Sequence, residues 1–87
     1  MRIETKASFV KDLKTVPKDF KEKIAILIST MEQASELSNL TGLKKLKGYQ
    51  KFYRIQVGAY QLGFALEENT IVLIRFLHRK EIYRFFP

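Results

Sequence analysis

The sequence predicts an α+β domain: an N-terminal strand and a helical hairpin packed on a mainly antiparallel β-meander, closed by a short C-terminal helix. Three observations carry this reading. Apolar residues recur at helical spacing from Phe9 to Ala34, they alternate at a period of two from Phe52 to Leu77, and turn dipeptides cut that second stretch into three. The 87 residues, 46% of them hydrophobic, suit one domain spanning residues 1–87 around a single core.

Arg2–Lys6 alternates and is thin in apolar residues, which suits an edge strand. From Ser8 the period changes. Phe9, Leu13 and Val16 mark the apolar face of a first helix, with Ser8 or Thr5 as N-cap. Pro17 ends that helix and suits the first turn of the next. Phe20, Ile24, Leu27, Ile28, Met31 and Ala34 form the stripe of this second helix, of roughly five turns. Their spacing makes Phe20 and Met31 core residues. Ser35–Thr41 reads as the loop leaving the helices, and Lys44, Lys45 and Lys47 follow, interleaved with Leu43 and Leu46 and closed by Gly48. Strands are expected at Phe52–Val57, Tyr60–Glu67 and Thr70–Leu77, joined at Gly58-Ala59 and Glu68-Asn69. The tail His78–Phe86 is expected to form one or two helical turns.

Composition narrows the function. There is no Cys and one His, which excludes a disulfide scaffold, a zinc ribbon and a cysteine nucleophile and leaves no histidine metal site. No cofactor is expected. The longest apolar run, Ile24–Ile28, falls far short of the ~20 residues of a membrane span, and the start has no apolar signal region. The chain is therefore expected to be cytoplasmic, without a membrane partner. Sixteen basic residues against nine acidic give a net charge of +7. The excess is segregated: residues 1–40 hold seven basic and six acidic residues, residues 41–87 nine and three. Such segregation suits an anionic partner, either nucleic acid phosphate or an acidic protein.

Strand alternation sorts the faces. A two-residue turn at Gly58-Ala59 sets Val57 opposite Tyr60, Gln56 opposite Gln61, Ile55 opposite Leu62 and Arg54 opposite Gly63. The apolar sets led by Ile55, Leu62 and Ile74 are expected beneath the helices, with Val72 and Phe76 on the same side as Ile74. The other face then carries Arg54, Gln56, Gln61, Gly63 and Arg75. Gly63 leaves space beside Arg54, and Arg75 is expected to approach the same region. Lys44, Lys45, Lys47 and Lys51 feed this surface from one side, and Arg79, Lys80 and Arg84 from the other. Tyr49, Phe52 and Tyr83 are aromatics suited to base stacking.

The segments LKGYQKFYRIQVGAYQLGF (Leu46–Phe64) and HRKEIY (His78–Tyr83), with FVKDLKTVP (Phe9–Pro17), resemble the RelE toxins of type II toxin–antitoxin systems, within the wider RelE/ParE superfamily. The resemblance covers essentially the whole chain. It implies a ribosome-dependent mRNA endonuclease that works by metal-free attack of the RNA 2′-OH on the adjacent phosphate. Its partners would be ribosome, mRNA and a cognate antitoxin. By the same resemblance Arg54 clamps the phosphate, Arg79 stabilises charge, and Tyr83 stacks on or orients the substrate base. Lys44, Lys45, Lys47 and Lys51 hold RNA backbone, and Arg75 and Lys80 extend that RNA-binding set. Two positions depart from the family pattern: Gln56 and Gln61 stand where basic residues are common. Gln is no general base, and Arg54, with a reference pKa above ~12, is a poor one. His78 either takes the proton role or is structural. The alternatives are a catalytically weak RNA- or antitoxin-binding relative, favoured by those two Gln, and a ParE-like gyrase inhibitor.

Overall fold

The computed structural model describes residues 1–87. Its elements run β1 (Arg2–Thr5), α1 (Ala7–Leu13), α2 (Lys18–Gln33), a 3₁₀ turn at Leu37–Asn39, β2 (Leu43–Lys45), β3 (Phe52–Val57), β4 (Tyr60–Glu67), β5 (Thr70–His78) and α3 (Ile82–Phe85). The five strands form one sheet in the order β1-β5-β4-β3-β2. β1 is the predicted edge strand and runs parallel to β5; every other pair is antiparallel. No helix is long and apolar enough to cross a membrane.

Both helices lay their apolar sides on one face of the sheet. α1 packs on β5, and α2 packs on β1 and β3. Phe9, Ile24 and Met31 meet Ile55, Leu62, Phe64 and Phe76 in the main core. The expected register of the β3–β4 hairpin is the observed one, pair for pair from Arg54↔Gly63 to Val57↔Tyr60. Its turn depends on Gly58. The residue has φ +60°, and a Cβ there would sit 2.7 Å from the Phe20 ring, which itself packs on Tyr60 with ring centres 4.7 Å apart. Glycine thus lets α2 close onto the hairpin tip.

Four expectations are corrected. Neither Thr5 nor Ser8 caps α1; Lys6 occupies that position without a side-chain cap, and α1 ends at Leu13, leaving Val16 buried in the following turn. Pro17 is the N-cap of α2, not a residue of its first turn. The stretch after the helices contains a further strand, β2, which adds to the edge of β3. Finally, a register shift between β4 and β5 sets Gly63 opposite Arg75 but Phe64 opposite Leu73, so Ile74 is the extra residue of a bulge. The bulge reverses the faces upstream of it. Ile71 and Leu73, not Val72 and Ile74, join Phe76 in the core under the helices, and Val72 lies opposite Ala65 on the other face.

Beyond Leu73, β5 has lost β1 as a neighbour, and α1 takes its place. The Ser8 hydroxyl donates to the Ile74 carbonyl at 2.6 Å. The Asp12 carboxylate accepts from the Phe76 backbone N–H at 3.0 Å and from Arg75 Nε and Nη2 at 2.8 and 3.0 Å. Side-chain groups thereby satisfy a strand edge that would otherwise be bare. The Asp12 and Arg75 side chains are only 10% and 24% exposed, so the pair is poorly screened. Asp12→Ala leaves both the cation and the Phe76 N–H without a partner. It is expected to lower stability by about 2–4 kcal/mol. Asp12→Asn, which keeps a neutral acceptor, should cost less; urea unfolding midpoints of the two variants check this ranking.

Candidate functional site

On the sheet face away from α1 and α2, one row of directly paired residues crosses four strands: Lys44 on β2, Arg54 on β3, Gly63 on β4 and Arg75 on β5. Paired residues share a face. Lys44 and Arg54 are therefore two cations side by side, an arrangement that repels itself unless an anion lies between or above them. Gln56 and Gln61, also paired, form the next row. With Gly42 and Tyr83 these residues line a cleft of about 120 Å³. No acidic side chain lines it. Arg54 Nε and Gln61 Oε1 are both buried there without a hydrogen-bond partner. Unpaired buried polar atoms are costly in a fold and common at sites that receive ligands.

Tyr83 reaches the cleft from α3. The Arg54 guanidinium carbon lies 4.6 Å from the centre of its ring, a cation–π stack. Hydrogen bonding from Arg54 and then its positive charge lower the Tyr83 phenol pKa below the ordinary tyrosine value; the Gln61 amide and the Lys44 charge act in the same direction, and burial opposes them. Even so, Tyr83 is 68% exposed, so its outer ring face is free.

What holds α3 in place is the residue after it. Gly63 does not leave empty space beside Arg54, as the pairing implied. The Phe86 ring fills it, and a Cβ on Gly63 would lie 2.7 Å from that ring. Phe86 and Ile82 are buried, and with Ala65 and Val72 they make a small second core on this face. Phe86 also packs edge-on against Phe52, ring centres 5.7 Å apart. The tail thus divides the row. Arg54 stays on the cleft side, and Arg75 on the other, against Asp12 and beneath Phe85 at 5.5 Å. Asp12, mainly by hydrogen bonding, holds the Arg75 guanidinium above its usual pKa.

The structure therefore gathers Lys44, Arg54 and Tyr83 of the sequence-derived set. Lys45 and Lys47 line an adjoining groove of about 400 Å³ that shares those three residues with the cleft. Arg75 is not brought to the cleft, because Asp12 holds it. Lys51 is ion-paired with Glu67 at 2.8 Å. Arg79 and Lys80 are exposed in the turn after β5 and line neither cavity. His78 pairs with Tyr60 on the helix-bearing face, and its Nδ1 accepts from the Lys80 backbone N–H at 3.2 Å. It is the last residue of β5, on the face opposite the cleft. Sequence reasoning missed Phe86 as the seat of α3, although the lone small residue at Gly63 in an otherwise bulky strand was a signal for close approach.

The family model for the ParE toxin of type II toxin-antitoxin system, parDE, matches residues 3–83. The toxin RelE3 of Methanocaldococcus jannaschii is 41% identical over 88 aligned residues, spanning all of both chains. A chain of the crystal structure of the RelB-RelE antitoxin-toxin complex from Methanococcus jannaschii superposes with a TM-score of 0.84 at 42% identity, covering 97% of this chain and 99% of that one. The archaeal RelE-RelB complex from Pyrococcus horikoshii shares the fold, with a TM-score of 0.74 at 20% identity over 90% of this chain and 93% of that one.

The Arg54–Tyr83 stack can be read by ultraviolet titration. A tyrosine whose pKa is lowered is more ionised at any given alkaline pH, so the Tyr83 phenol should ionise below the ordinary tyrosine range. Arg54→Ala should move that ionisation back up. Gly63→Ala should do the same from a distance, because the added methyl displaces Phe86 and with it the seat of α3.

Proposed function

The chain belongs to the RelE/ParE superfamily of toxins from type II toxin–antitoxin systems, and on that premise we propose that it is a ribosome-dependent mRNA endonuclease that arrests translation. One observation carries the reading: Arg54, with a buried and unpartnered Nε, stands beside Lys44 and under Tyr83 in a cleft without acidic residues. Such a cleft suits a phosphate diester whose charge rises during reaction.

In the proposed reaction the RNA 2′-oxygen attacks the adjacent phosphorus. The 2′-OH gives up its proton to water as the new O2′–P bond forms, which leaves a phosphorane with two negative charges. The P–O5′ bond then breaks and O5′ takes up a proton from water, giving a 2′,3′-cyclic phosphate and a free 5′-OH. Arg54 and Lys44 donate to the non-bridging oxygens of the phosphorane, and preorganised cations at that position lower the barrier most where the charge is largest. Gln61 and Gln56 contribute neutral amide donors. The exposed face of Tyr83 takes a base of the substrate and fixes the scissile linkage over Arg54. Lys45 and Lys47 follow the RNA backbone out of the cleft. Arg79 and Lys80, outside it, serve the longer polyanion, mRNA or ribosomal RNA.

Relatives of this chain have been crystallised as antitoxin–toxin complexes. By analogy, the partner that silences this chain is an antitoxin with acidic side chains, which the excess of basic residues after residue 40 would receive. A second reading is favoured by the Gln56–Gln61 row and by the distance of His78 from the cleft. Without a histidine base or further cations, the chain would bind RNA or antitoxin but cut weakly.

The two readings separate in a reconstituted translation reaction, with and without ribosomes, comparing wild type and Arg54→Ala. Cleavage confined to ribosomes, leaving 5′-OH ends and reduced about 100-fold or more in the variant, is the expected result. Equal cleavage by a folded Arg54→Ala protein would remove the cleft from the mechanism. Ribosome binding without any cleavage by the wild type would establish the binding-only reading.

A further inference from the structure

We propose that the groove adjoining the cleft is a second nucleotide subsite, in which Tyr49 stacks on a neighbouring base of a single-stranded RNA while Lys45 and Lys47 hold its backbone; the proposal rests on the RNA reading above. The groove is continuous with the cleft, since Lys44, Arg54 and Tyr83 line both. Its remaining polar lining is lysine and tyrosine, with no carboxylate. That is the composition of a surface that follows a polyanion.

Tyr49 is the residue that gives the groove a chemical preference. It is 47% exposed, although it sits at the end of an aromatic relay. Its ring meets Phe52 at 5.6 Å in a T-shaped contact, and Phe52 meets Phe86, the seat of α3, in the same manner at 5.7 Å. The Tyr49 ring is thus braced from the protein side and open on the other. The loop that carries it is braced as well. The Leu46 N–H donates to the Phe52 carbonyl at 2.9 Å, and the Tyr49 N–H donates to Leu46 at 3.4 Å. A rigid, exposed aromatic loses little freedom when a base stacks on it. Tyr83 and Tyr49 then form two platforms along one strand of RNA, with the Lys44–Arg54 pair at the first and Lys45 and Lys47 at the second. Stacking tolerates any base, so this subsite governs affinity and the length of RNA engaged, not base identity.

The test uses two-dimensional NMR of the whole protein with 2′-O-methyl RNA, in which the attacking hydroxyl is blocked. A phosphorylated mononucleotide is expected to shift signals of Arg54 and Tyr83 alone. A trinucleotide is expected to shift the Tyr49 ring signals too. Tyr49→Ala should weaken the trinucleotide about ten-fold and leave the mononucleotide unaffected, whereas Tyr49→Phe should bind like the wild type. A trinucleotide that moves Arg54 and Tyr83 yet binds Tyr49→Ala with unchanged affinity would overturn the subsite and leave the RNA reading intact. If no RNA moves Tyr49, Arg54 or Tyr83, the subsite fails, while the RNA reading stands or falls separately on the ribosome cleavage reaction above.

Discussion

The Asp12 carboxylate is the constraint on which the rest of the architecture turns. β1 is four residues long and β5 is nine, so more than half of β5 would face solvent on one side. A longer first strand would have solved this with backbone hydrogen bonds. Here a short helix does it with a hydroxyl and a carboxylate, Ser8 and Asp12, each aimed at a main-chain group of β5. The same carboxylate takes both donors of Arg75 in a bidentate pair. This fixes α1 on the sheet, quenches one of the cations of the central face, and leaves that face asymmetric: neutralised at β5, uncompensated at β2 and β3.

That asymmetry is sharpened by the tail. Two guanidinium groups on one face of adjacent pairs would by themselves make a broad positive plateau. The Phe86 ring over Gly63 divides the plateau and confines the free charge to the side where Tyr83 stands. A hydrophobic contact thus does electrostatic work, since it determines which cations meet water and ligand and which meet Asp12. It also explains why α3, four residues long and too short to be stable alone, can hold an aromatic over Arg54. Its stability comes from Ile82 and Phe86 on either end.

Much of this was legible in the residues. Period-two alternation located β3 and β4 to the residue, and the Gly58-Ala59 dipeptide fixed their register, because a two-residue hairpin leaves no freedom in pairing. The same logic failed on β5. A bulge at Ile74 falls at the end of the continuous apolar run Ile71–Ile74, so nothing in the alternation betrays it. β2 was hidden because three residues carry no period. Arg54 and Tyr83 were identifiable as residue types in a basic segment. Their contact was not, since it depends on how the tail folds back. Arg75 shows the limit most plainly: a charged strand residue looks the same whether it faces RNA or Asp12, and only tertiary structure pairs it with a helix 63 residues away in sequence.

The Lys44–Arg54 pairing has a thermodynamic corollary. Like charges placed directly opposite one another on a sheet repel, and an anion bound beside both offsets that repulsion. Anything that binds the folded chain and not the unfolded one adds to its stability by mass action, and here the gain includes relief of that repulsion. Under the proposed function, a phosphate of RNA and a carboxylate of a protein partner would answer the same two charges at the same place. Substrate and acidic inhibitor would then be rivals for one pair of cations, and binding of either would remove much of the attraction for the other.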